Sequence, residues 1–183
     1  DGVAIDATDL STIGALTAGT VTVTNAIVIS GTESQVTDAL VTDASKVVVS
    51  DAVVTISDVD TTNLEVTDLS AIGALTSGIV TVSNAVVLTG TQAELEAALI
   101  TDDTKVVATS ANVTVEDAAS IAELTAIDAV IATMSYSTVA DVTANAVTNA
   151  GTYIAGTKTV TITDVDGVAI DATDLSTIGA LTA

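Results

Sequence analysis

Residues 1–18, DGVAIDATDLSTIGALTA, return without a change as residues 166–183. Identity over that length, at an offset of 165 residues, implies recent duplication. It restricts the chain to architectures in which one structural unit can follow another in register. The chain therefore reads as one long tandem repeat, residues 1–165, followed at 166–183 by the start of the next. Further copies are expected on either side. A shorter period lies inside the long one, where Asp9–Thr32 (DLSTIGALTAGTVTVTNAIVISGT) matches Asp68–Thr91 (DLSAIGALTSGIVTVSNAVVLTGT) at an offset of 59. This divides the repeat into units of about 1–59, 60–118 and 119–165, the third diverging from the other two.

Within each unit the hydrophobic pattern changes period. Strand signals begin at Val21, Val47, Val80, Val106 and Thr159, with period-2 alternation of Val and Thr as in Thr20–Thr24. An Asn-Ala, Asp-Ala or Ser-Ala step after each first strand reads as a corner, because Asn and Asp tolerate left-handed backbone and bond to nearby main chain. Helix signals follow. Thr32 and Thr91 read as N-caps, with Val36, Ala39 and Leu40, and Leu95, Ala98 and Leu99, at helical spacing. Asp9 and Asp68 read as caps of Leu10–Leu16 and Leu69–Leu75, and Asp117 as the cap of a helix running to Ile127. Gly14 and Gly73 inside such short helices predict close backbone approach, since glycine there costs about 1 kcal/mol against alanine.

Only Tyr136 and Tyr153 are aromatic, so the core must be built from Val, Ile, Leu and Ala. Side chains of that size pack as thin layers between closely spaced backbones. The expected fold is a β-rich solenoid with short helices, its coils right-handed and about 24–33 residues long, roughly six to each long repeat.

Charge and composition close several functional classes. With 24 acids against three lysines the formal charge is −21, which repels phosphate backbones and anionic lipid surfaces. No nucleic-acid partner is expected. Thr, Ser, Asp or Asn interrupts every apolar run, so no membrane insertion is expected. His and Cys are absent, which removes the common nucleophilic triads and zinc sites, and any disulfide framework. The chain is not expected to be an enzyme. A β-helix carbohydrate-active enzyme with a carboxylate pair is the distant alternative, and the divergent stretch around Met134, Tyr136 and Tyr153 is where its site would lie.

Calcium is the one candidate cofactor. DVDGVAIDATD at Asp164–Asp174 and SDVDTTNLEVTD at Ser57–Asp68 crowd carboxylates into short loops, which nominates Asp164, Asp166, Asp171, Asp58 and Asp60 as ligands. The spacing is not that of an EF-hand or of a glycine-rich calcium nonapeptide, and the competing reading is acids that cap helices and shape turns. Lys46, Lys105 and Lys158 each follow Ser or Thr and open a β-rich stretch, so they read as one equivalent position. Asp43 and Asp102 stand ready to pair with the first two.

Strands of the type VTVTNAxVxxGT and KVVVSDAxVTISD, alternating with DLSxIGAL and AELEAAL helices, resemble the tandem-repeat regions of giant secreted bacterial cell-surface proteins and adhesins, including those of marine cyanobacteria. The resemblance covers the whole chain and carries no site motif. It implies an extracellular or cell-surface location. It also implies a structural role in a filament, stalk or surface-layer fibre, with neighbouring copies of the same repeat as partners in a homopolymer or bundled filament. A calcium-dependent adhesin repeat that binds a surface or glycan is the alternative.

Overall fold

A computed structural model describes residues 4–101 and 105–182. Strands of two to four residues alternate with helices of six to ten. β1 (Ala4–Asp6) runs directly into α1 (Ala7–Ala15); β2 (Val21–Val23), β3 (Val28–Gly31) and α2 (Glu33–Leu40) follow. A 3-10 turn at Asp43–Ser45 leads to β4 (Val47–Val49), β5 (Val53–Ile56), β6 (Asn63–Glu65) and α3 (Val66–Gly73). Next come β7 (Val80–Val82), β8 (Val87–Gly90) and α4 (Gln92–Leu99), then β9 (Val106–Val107), β10 (Asn112–Val115) and α5 (Ile121–Asp128). The last part comprises β11 (Thr133–Ser135), β12 (Thr138–Asp141), α6 (Thr143–Thr148), a π-helical turn at Ala150–Ile154, β13 (Thr159–Ile162) and α7 (Ala172–Leu181).

The result is a mixed α/β fold with parallel strands in several open sheets. It is less β-rich than the sequence suggests, because each strand stops at a corner after two to four residues whereas the helices run for six to ten. One sheet has the order β1-β3-β5-β7-β9, a second β11-β10-β8-β6, and two are pairs, β12-β13 and β2-β4. Paired strands lie a single pass of the chain apart. Ala4 lies opposite Val28, Val28 opposite Val53, Val54 opposite Val80, and Val80 opposite Val106. The spacing shortens in the divergent third unit, where Asn112 lies opposite Thr133 and Thr138 opposite Thr159.

The register stacks like on like. Ile5, Ile29, Val54, Val80 and Val106 form one inward column, and Leu64, Leu88, Val113 and Met134 another. Ile29, Val54, Val80 and Leu88 are wholly buried, and Val36, Ala39, Leu69, Ile72, Leu95 and Leu124 close the core from the helices. Burying each large aliphatic side chain stabilises by roughly 1.5–3 kcal/mol. A one-residue slip would turn every inward Val outward and bring Thr in, so the alternation sets the register.

A change of role runs through the first sheet. β1 and β3 lead into helices α1 and α2, β5 leads into the irregular stretch 57–62, and β7 and β9 follow helices α3 and α4. The extra strand β6 then opens the second sheet, in which β8 again precedes a helix and β11 again follows one. One ladder of hydrogen bonds is thereby handed from the strand before the helix to the strand after it.

Several local expectations are corrected. Asp9 and Asp68 do not cap helices; they lie inside the first turns of α1 and α3, whose N-caps are Asp6 and Glu65. Both helices begin earlier than the apolar spacing suggests, directly from a strand. Asp117 does not cap α5 either, because Ser120 does so through a capping box with Glu123. The Asn-Ala and Asp-Ala corners turn without left-handed residues; positive φ falls instead at Lys46 (56°), Thr61 (67°) and Lys105 (52°) among non-glycine residues described. The three lysines are not equivalent. Lys46 and Lys105 both sit left-handed before β4 and β9, with their carbonyls accepting from Val21 and Val80. Lys158 precedes β13, whose TVTITDVD sequence matches the VVTISDVD of Val53–Asp60 rather than the strand after Lys46. Asp102 and the side chain of Asp43 lie outside what the structure describes.

The close approach expected at Gly14 is present. A Cβ there would collide with the carbonyl of Ser45, one pass later in the chain.

Candidate functional site

The nominated acids are placed by the helix termini. Every helix begins with main-chain N–H groups that have no partner inside it, and here they are shared out between two passes of the chain. At α2, the Thr32 hydroxyl accepts from the Gln35 N–H at 3.3 Å and the Gln35 side chain accepts from the Thr32 N–H at 2.8 Å. The first N–H, that of Glu33, donates to Asp58 at 2.6 Å, from the following pass. At α4 the same three bonds recur with Thr91, Glu94 and Asp117, the last accepting from Gln92 N–H at 2.7 Å. At α5 they recur with Ser120, Glu123 and Asp141, and Ile121 N–H donates to Asp141 at 3.0 Å. At α6 Asp164 accepts from both the main-chain N–H of Thr143 (2.7 Å) and its hydroxyl (2.5 Å).

This arrangement separates the five candidate calcium ligands. Asp58 and Asp164 each cap a different preceding helix, Asp60 accepts from the Ala85 N–H at 2.9 Å, and Asp171 caps its own helix through Thr173 N–H at 2.8 Å. Asp166 is exposed, as is Asp171. Among the described residues no group of three or more acidic side chains converges as a metal site. Asp117 and Asp141 do the same work as Asp58 and Asp164, and the sequence reading missed that role. Their signal is an acid closing a strand, as in Thr55-Ile56-Ser57-Asp58, Thr114-Val115-Glu116-Asp117 and Thr161-Ile162-Thr163-Asp164, about one pass after a helix start.

The electrostatics follow from these bonds. Hydrogen bonds from the Thr143 hydroxyl and N–H hold Asp164 below its ordinary value, Thr8 does the same for Asp6, and Thr173 for Asp171. Bonds from the Thr91 N–H and hydroxyl lower Glu94. Glu33 goes the other way: partial burial raises it against the Thr37 hydroxyl bond, and the nearby charges of Asp68, Asp58 and Asp38 add to the rise.

The divergent third unit assembles the two tyrosines and one lysine. The Tyr136 hydroxyl donates to the Tyr153 carbonyl at 2.8 Å, and the rings lie 6.5 Å apart, tilted by 46°. The Lys158 ammonium donates to the Tyr136 carbonyl at 2.6 Å and stands 4.0 Å from the centre of the Tyr136 ring. Burial raises the Tyr136 hydroxyl, with Tyr153 and Asp128 adding to the effect, so it stays protonated and serves as a donor. The cluster fastens the π-helical turn to the strand beside it. It presents neither an activated nucleophile nor a pair of facing carboxylates.

Comparison with protein-family models, with curated proteins and with solved structures finds no match to this chain. No helix among the described residues is long and apolar enough to cross a membrane.

Proposed function

We propose that the chain is a segment of a solenoid, a structural repeat of an extracellular or cell-surface filament, stalk or surface-layer fibre, and that it works without catalysis. The observation that carries this reading is the transfer of helix capping between passes. Asp58, Asp117, Asp141 and Asp164 each complete a helix that lies 20 to 25 residues earlier. A fold that closes its helix ends with the next pass is suited to indefinite extension. Parallel pairing over the same distance, like side chains over like, supports successive right-handed coils. The unbroken 18-residue identity at an offset of 165 supports their continuation from one repeat to the next.

On this reading the function is length and stiffness, set by copy number, and the 24 acids keep a large β-containing surface soluble. The external location rests on the resemblance to secreted surface-protein repeats and on the lack of cysteine, which suits export in an unfolded state. The test is small-angle X-ray scattering of chains carrying one, two and three tandem repeats. The observed register spaces the passes 21 to 26 residues apart, so 165 residues make about seven, and at ~4.8 Å each every added repeat lengthens the particle by roughly 34 Å. A maximum dimension that grows only as the cube root of mass would sink the proposal.

A further inference from the structure

The outer faces of the two larger sheets differ in chemistry. In the sheet of β6, β8, β10 and β11 one outward column is Glu65, Thr89, Thr114 and Ser135, and the other holds a single apolar residue, Val87. In the five-stranded sheet the outward column runs through Val28, Val53 and Ile79, the last standing one position before Val80 in the ladder. Val53 is 40% and Ile79 51% exposed. Alternation demands an outward residue at these positions and is silent on its being apolar. No outward residue of β3, β5, β7 or β9 is acidic, in a chain with 24 carboxylates. Two molecules of charge −21 therefore approach here against the least repulsion. Charge stands at the ends of the column. Asp6 is exposed on β1, and Lys105 lines an open cleft with Ile79 and Val107 at the far edge. The face lies to the side of the stacking direction, so coils added before or after would not cover it.

We propose that this face docks a second copy of the chain, the two sheets running in opposite stacking directions about a two-fold axis through Val53. That axis sets Val53 against its own counterpart, Val28 against Ile79, and Lys105 against the β1 end that carries Asp6. Stacking directions that run the same way would also match the apolar column with itself, but with Lys105 against Lys105. Charge thus selects the opposed arrangement. The strands of the two sheets stay aligned, as packed sheets require. A face with an apolar middle, an acid at one end and a base at the other is its own complement, and an isologous contact of that kind closes at two copies. From Val28 to Lys105 the column spans three passes, about 14 Å. That is small against the ~800 Å² per partner of a stable interface, so the contact is a transient one. It goes beyond the fibre reading and needs one sheet, not further coils.

The chain has no cysteine, so cysteines introduced one at a time report contacts between copies. Under mild copper-catalysed air oxidation, Val53→Cys is expected to form a disulfide-linked dimer at least ~10-fold faster than Val48→Cys, because the contact raises the local thiol concentration. Val48 is the control, being 51% exposed on β4 outside this sheet. Adding Ile79→Asp to Val53→Cys removes the acceleration. When the Val28→Cys and Ile79→Cys chains are mixed, the heterodimer is expected to outweigh both homodimers, which reports the opposed register. Equal rates for Val53→Cys and Val48→Cys overturn the proposal. So does a rate that Ile79→Asp leaves unchanged, or a mixture that pairs statistically. Should Val53→Cys lose its native circular dichroism, the mixture decides alone. Equal rates together with a constant length increment per tandem repeat remove this contact and leave the solenoid reading standing.

Discussion

The Asp117 carboxylate accepts the main-chain N–H of Gln92 at 2.7 Å, joining the end of one strand to the start of a helix 25 residues earlier. The bond replaces solvent as partner of an N–H that the helix cannot satisfy itself, and it sets a negative charge at the positive end of the helix dipole. Asp117→Ala should therefore lower stability by about 1 kcal/mol, as for loss of an N-cap, and Asp58→Ala by a similar amount. Urea unfolding of each variant measures this. Losses no larger than that of an exposed, unbonded acid such as Asp166 would show that the contact contributes nothing.

Equivalent positions of the repeated DLS motif should respond according to their neighbours. Ile72→Ala, at a site with no exposure, should cost 2–5 kcal/mol through lost burial and a residual cavity. Ile13→Ala, in the same motif but half exposed, should cost less than about 1 kcal/mol. Denaturation midpoints of the two variants compare the sites within one molecule.

Lys46 holds a left-handed conformation at φ 56°, which costs a non-glycine residue about 1 kcal/mol. Lys46→Gly should raise stability by roughly 0.5–1 kcal/mol, and Lys46→Val should lower it, since a β-branched side chain tolerates that region worst. A stabilising valine would contradict the backbone assignment.

Acid should act in two directions. Glu33 has its folded pKa raised, so its contribution is present at low pH and lost as pH rises through that raised value. Asp6, Glu94, Asp164 and Asp171 have theirs lowered, so their contributions are present above the ordinary carboxylate range, near 4, and lost as pH falls below it. The melting temperature should rise on moderate acidification from neutral and then fall below about pH 4. Glu33→Gln should flatten the rise and Asp164→Asn should soften the fall.

With the acidic candidates dispersed over separate N–H donors, millimolar calcium and a chelator should give the same melting temperature by circular dichroism. A calcium-dependent rise abolished by Asp164→Asn would instead point to an ion site that includes this carboxylate.

The strands beginning at Val21, Val47, Val80, Val106 and Thr159 were legible because one face of each is buried or half-buried, which imposes period-2 alternation. The caps Thr32 and Thr91 were legible because their partners lie three residues away. The inter-pass caps were not, since the donor that fixes Asp58 or Asp117 lies 25 residues off and no local pattern reports it. That is why those acids first suggested a cation. Lys158 was misplaced for a related reason: matching on the residue before a lysine ignores which strand the register pairs.

The handover of a ladder from the strand before a helix to the strand after it has a consequence for symmetry. The handover occurs after β5 in the first sheet and after β10 in the second, and on the proposed solenoid reading each one moves the helices by one side of the coil. On that reading the helical seam winds like a screw thread around the fibre. Units at different points of such a thread meet different neighbours, in keeping with the unequal sequences of 1–59, 60–118 and 119–165. A lateral neighbour of such a fibre would then meet the same side only at the pitch of that thread.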